Sequence, residues 1–80
     1  MKKKKIKTVI ERSVDGGFTA WSDAVPGVYA NGGTDEEVRN EFLSMMAEQA
    51  VFIEERSGVT PNFKGAEVEF IYSPAAFPKK

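Results

Sequence analysis

Chemistry in this chain would have to come from its carboxylates. Glu11, Asp15, Asp23, Glu67 and Glu69 fall on or beside segments with strand character. A metal-dependent nuclease needs several such groups converging on one spot. The middle of the first such segment is Thr8-Val9-Ile10, with no acid where a metal would sit. Glu67 and Glu69 are equally well explained as the wet side of a strand. The 80 residues contain no histidine and no cysteine, which removes the commonest general base, the commonest metal ligand and any thiolate chemistry. Ser13 and Ser22 therefore have no histidine to activate them as nucleophiles. Gly32-Gly33 precedes a helical pattern, but Asp35-Glu36-Glu37 would repel a phosphate there. Met45-Met46 at helical spacing reads as core filling, and Gly16-Gly17 is too short for a phosphate loop.

The elements that must carry these residues follow from periodicity. Lys5 to Arg12 alternates, with Ile6, Thr8 and Ile10 on one side and Lys7, Val9 and Glu11 on the other, which reads as a strand. Asp15-Gly16-Gly17 supplies a tight reversal. Phe18 to Asp23 is the return strand, and Val25-Pro26-Gly27 ends it. Val28 to Ala30 is a short third strand, followed by an Asn31-Gly32-Gly33 loop. Thr34 with Glu37 forms a capping box. Val38, Phe42, Met45, Met46, Gln49, Phe52 and Ile53 then make one apolar stripe, and Gly58 is a natural stop, so the helix runs over residues 35–57. Glu67 to Tyr72 alternates again as a fourth strand. Residues 1–4 and 75–80 are expected to be flexible.

The fold class expected is α+β in the order β-β-β-α-β: a four-stranded mixed sheet with one long helix on one face. The first three strands form an antiparallel meander, and the fourth lies parallel beside the first. Opposing Arg12 to Phe18 places Ile10 opposite Ala20 and Thr8 opposite Ser22, and puts Ile6, Val28, Ala30, Val68, Phe70 and Tyr72 on the helix face. Small residues at Ala20, Ser22 and Ala30 would let the helix approach with Phe42 and Phe52. The opposite face carries Val9 opposite Trp21, with Tyr29 and Ile71 nearby and a Lys7–Asp23 pair. Two readings of that face stand open. It is an association surface, or the sheet curls and these residues pack on the 58–65 loop.

Net charge is −1 and uneven, with lysines at 2–5 and 7 and an acidic helix. That basic end, without interleaved aromatics or a reading helix, fits a solubilising or edge-blocking tail better than a nucleic-acid contact. No apolar run approaches the ~20 residues that span a membrane, and no signal-peptide pattern is present, so the cytoplasm is the default location. One domain over residues 1–80 is the limit for this length.

Ile6-Lys7-Thr8-Val9-Ile10-Glu11-Arg12, the Asp15-Gly16-Gly17-Phe18 turn, Val25-Pro26-Gly27 and Gly33-Thr34-Asp35-Glu36-Glu37, in this order, resemble the HicB-type antitoxin family. The helix end Glu54-Glu55-Arg56-Ser57-Gly58 and the strand from Gly65 to Tyr72 resemble a subgroup common in gut bacteria. The resemblance implies a partial ribonuclease-H-like domain without nuclease activity. Its partner would be a small mRNA-cleaving toxin of the HicA type, and its own state a homodimer. No cofactor or metal is implied. The C-terminal DNA-binding segment of most members has no counterpart here, which argues against direct DNA binding by this chain. The partner-binding residues expected are Val9, Glu11, Trp21, Asp23, Tyr29, Glu69 and Ile71. Two other readings remain: a minimal metal-dependent nuclease on the same fold, and an orphan domain without a toxin.

Overall fold

A computed structural model describes residues 4–73. The expected flexible ends lie outside this range, apart from Lys4, which directly precedes the first strand. β1 spans Lys5–Arg12, β2 Phe18–Trp21 and β3 Tyr29–Gly32; α1 spans Asp35–Ser57 and β4 Glu67–Tyr72. The sheet order is β3-β2-β1-β4. β1–β2 and β2–β3 are antiparallel, and β1–β4 is parallel. The fold is thus α+β with a four-stranded mixed sheet and one helix on one face. The register opposes Arg12 to Phe18, Ile10 to Ala20 and Val9 to Trp21, as the alternation requires.

Strand ends differ from expectation where side chains compete with the ladder. β2 stops at Trp21 rather than at Asp23. The Ser22 hydroxyl donates to the Lys7 carbonyl at 2.7 Å and accepts from the Ala24 amide at 3.2 Å, while the Val25 amide bonds the Ser22 carbonyl. This closes a local turn in place of two more strand residues. Lys7 and Asp23 form no ion pair; among the described residues those within 4 Å are Arg39–Asp35 and Lys64–Glu54. β3 begins one residue late and includes Asn31 and Gly32, which pair with Thr19 and Phe18. Gly32 is what lets the strand run into the helix start. A Cβ there would lie 2.6 Å from the Val38 nitrogen and 2.9 Å from its Cα.

The helix is capped as its sequence suggests. Thr34 Oγ1 accepts from the Glu37 amide at 3.1 Å, and Glu37 Oε1 accepts from the Gly33 amide at 3.0 Å. Gly58 ends it in the left-handed region, with φ 74°, and its amide bonds the Glu54 carbonyl. The buried stripe is Val38, Phe42, Met46 and Ala50, with Met45 and Ile53 partly buried. Phe52 does not approach the sheet. It is 51% exposed, and the Arg56 guanidinium lies 5.2 Å from its ring centre. The reason is helical geometry: Phe52 falls about 80° round the helix from Phe42 and about 15 Å further along.

The core lies between α1 and the β1–β2–β3 side of the sheet, with Ile6, Ile10, Ala20, Val25, Ala30, Val38 and Phe42 buried. Phe63, from the loop after the helix, joins this core at 3% exposure. It lines a cleft with Met46, Ala47, Ala50 and Val51. The 58–65 loop therefore packs on the helix side, and the reading in which it covers the opposite face is corrected. No helix among the described residues is long and apolar enough to cross a membrane.

Candidate functional site

The face of the sheet away from α1 is organised in rows, because side chains in register across strands stand side by side. Ile71, Val9, Trp21 and Tyr29 are successive partners across β4, β1, β2 and β3. They form one apolar row that crosses the whole sheet. Val9 and Trp21 in its middle are half-buried by their neighbours, whereas Ile71 and Tyr29 at its ends are 38% and 59% exposed. Both ends of the row are open to solvent.

The row on one side is polar. Glu11, Thr19 and Asn31 are successive partners. Trp21 Nε1 donates to Glu11 Oε1 at 3.3 Å, which links the apolar row to the polar one. Thr19 is only 7% exposed, and its hydroxyl lies 2.9 Å from Ser13 Oγ and donates to Asn31 Oδ1 at 3.3 Å. On the other side, Lys7 stands in register with Glu69, and Lys5 with Glu67. The rim is therefore mixed in sign, with acids and lysines alternating between neighbouring strands.

Of the residues expected at a partner surface, Val9, Trp21, Tyr29 and Ile71 share one row, Glu11 is bonded to the indole, and Glu69 lies on the same face. Asp23 is set apart, exposed in the turn beyond the end of β2. Sequence reasoning missed Thr19, Ser13 and Asn31. Thr19 has the same parity as Trp21, so the alternation that found the tryptophan carried that signal as well.

The arrangement offers an apolar strip with hydrogen-bonding edges. It does not bring carboxylates together: among the described residues, no three acids form a group able to hold a metal ion. A second concave region lies at the hairpin end, about 460 Å³ in volume, lined by Ser13, Asp15, Phe18, Asn31 and glycine backbone. At the neighbouring helix start Thr34 takes the Glu37 amide, and three acids crowd the first turn, so an anion is not favoured there.

The two perturbed titrations lie off this face. The Lys64 ammonium and the Thr60 hydroxyl, bonded to Glu54, hold its carboxyl below the usual range. Burial, followed by the hydrogen bond to Asp35, pushes the Tyr72 phenol up; its hydroxyl donates to Asp35 Oδ2 at 3.1 Å. Both are structural contacts that tie α1 to the chain after it. No family model, curated protein or solved structure matches this chain.

Proposed function

We propose that this chain is a non-catalytic interaction module of the antitoxin type, which binds and neutralises a small mRNA-cleaving toxin of the HicA type. The observation that carries the reading is the Ile71–Val9–Trp21–Tyr29 row. It is a sheet-wide apolar strip on the face away from α1, exposed at both ends, with a tryptophan near its centre. Such a strip rimmed by polar groups is what protein partners cover. The order and spacing of the turn, cap and strand motifs, similar to those of HicB-type antitoxins, support the choice of partner. A sheet of this order with its helix on one face fits a partial ribonuclease-H-like domain.

Glu11, Glu67 and Glu69 on the rim complement the positive surface that an RNA-cleaving protein needs. Lys5 and Lys7 between them dilute the field, so the rim sets orientation more than affinity. The affinity falls to the aromatic anchor. Truncating one typically costs ~2 kcal/mol or more, which is over tenfold in Kd.

The test uses the protein encoded by the adjacent reading frame as the toxin. The wild-type chain is expected to suppress its RNA cleavage and its growth arrest. Trp21→Ala should weaken binding more than tenfold, with an unchanged far-UV circular dichroism spectrum. Val14→Ser, at the fully exposed hairpin tip, should change nothing. If Trp21→Ala neutralises as well as wild type, the row is not the toxin surface. If the chain itself cleaves RNA with magnesium and loses this on Glu11→Ala or Glu69→Ala, the non-catalytic reading is wrong.

A further inference from the structure

α1 carries apolar side chains on two of its sides. One is the stripe buried against the sheet. The other is a row at four-residue spacing, Leu43, Ala47 and Val51, and all three are exposed. Residues four apart stack on one side of a helix, so the row is nearly straight and about 12 Å long. A helix that only covers a sheet keeps its outer side polar. Beside the row runs the cleft between α1 and the 58–65 loop, about 330 Å³ in volume. Ala47 and Val51 form its rim on the helix, Lys64 and Gly65 its rim on the loop, and the buried Met46, Ala50 and Phe63 its floor. This volume is at the small end of the ~300–1,000 Å³ of ligand pockets, so it suits one bulky apolar side chain better than a free ligand.

The charges beside this surface have one sign. Val51 has Glu48 one helical turn before it and Glu55 one turn after, and both are exposed. On the loop side, the Lys64 ammonium lies 2.9 and 3.0 Å from the two carboxylate oxygens of Glu54, which offsets its charge. The cleft is therefore apolar inside and acidic along one bank.

We propose that the row and cleft bind a basic amphipathic helix of another protein. One bulky apolar side chain of that helix enters the cleft, and its cations lie against Glu48 and Glu55. A helix is the fitting shape because a row at four-residue spacing is a ridge that packs into the groove of a second helix. Ala47, the smallest residue of the row, sits at its centre, where the two backbones approach closest. The charges choose among occupants. A second copy would bring its own Glu48 and Glu55 to the same surface, and like charges set against each other cost stability. Nucleic acid and anionic lipid are repelled for the same reason. A helix with lysines or arginines beside its apolar side is attracted and oriented. The site lies on the helix side of the sheet, away from the Trp21 row, so it is independent of the toxin reading and leaves that row free for a different partner.

The probe is a synthetic leucine–lysine peptide of about three heptads, with leucines on its apolar side and lysines flanking them. It is titrated into the isotope-labelled chain and followed by NMR. Saturable binding is expected, with amide shifts concentrated at Leu43, Ala47, Val51 and residues 63–65. Ala47→Arg, at an exposed helical position, blocks the rim with a bulky cation. It should raise Kd more than tenfold and retain the native far-UV spectrum. Glu48→Lys combined with Glu55→Lys should raise Kd several-fold in low salt and have little effect in high salt. The same peptide with glutamate in place of every lysine should bind about tenfold more weakly or worse. The proposal is overturned if no saturable binding occurs, if the two peptides bind equally, or if Ala47→Arg binds as wild type does. Shifts centred on Val9 and Trp21 also overturn it, because they assign the peptide to the open face of the sheet.

Discussion

Thr8 lies in the middle of β1, facing α1, at 0% exposure, and its Oγ1 has no hydrogen-bond partner among the described residues. It is flanked on its own face by Ile6 and Ile10 and stands in register with Phe70. Ser22 gives its hydroxyl hydrogen to the Lys7 carbonyl. A buried hydroxyl with its bond unmade costs about 1–3 kcal/mol. Thr8→Val keeps the shape and the β-branch and exchanges that hydroxyl for a methyl in an apolar site. The expected gain is about 1–2 kcal/mol, which for a domain of this size raises Tm by roughly 4–8 °C per kcal/mol. The assay is thermal melting by circular dichroism together with urea unfolding, where the midpoint should rise and the slope stay constant. Thr8→Ala is the control, because it removes the hydroxyl and also leaves a void, and should be less stable than Thr8→Val. An unchanged or lowered Tm in Thr8→Val would mean that the hydroxyl is satisfied and that this strand is more polar inside than described.

Two further outcomes test how the helix is seated. Gly32→Ala drives a Cβ into the backbone of Glu37 and Val38, at 2.6 to 3.0 Å, and backbone cannot yield as a side-chain tip can. A loss of about 1–3 kcal/mol in urea unfolding is expected, and no loss would show that β3 and α1 separate freely. At the other end, Glu54 has its folded pKa held below its unfolded value by Lys64 and Thr60. Its contribution is therefore fully present above the ordinary carboxylate pKa and is lost as pH falls through the folded value. Lys64→Met should move the Glu54 carboxyl titration upward by NMR, and any stability difference from wild type should vanish in acid. A titration that stays in place would show that the exposed pair is screened to nothing.

Much of the architecture was legible from a few residues. The Arg12–Phe18 pairing across the glycine turn set the register of β1 and β2, and with it the membership of both faces. Thr34, Glu37 and Gly58 marked the helix ends because caps are local chemistry. What was not legible depended on distant contacts. Phe63 looked like a loop residue, and only the groove beside Met46 and Ala50 makes it core. Phe52 matched the apolar stripe in composition but lies round its edge. Asn31 and Gly32 looked like loop, and became strand because the absent side chain of Gly32 allows the helix to close on it. For the site, parity alone placed Val9, Trp21, Tyr29 and Ile71 on one face. Asp23 was misplaced because a serine turn ended β2 early.

The position of β1 has a consequence for the order in which the sheet is completed. One of its flanks is filled by β2, a hairpin neighbour. The other is filled by β4, which follows the entire helix in the chain. Local pairings close fast and distant ones late, because loop-closure entropy is lost before the distant contact forms. The sequence separations therefore predict that β1 pairs with β2 before β4 arrives, leaving the flank at Ile6 and Ile10 empty in the interval. A β4 strand from a second copy fits that vacancy as well as the chain's own does. Concentrated refolding should therefore favour exchanged dimers over chains closed on their own β4, whereas synthesis one chain at a time lets each β4 arrive first at its own slot.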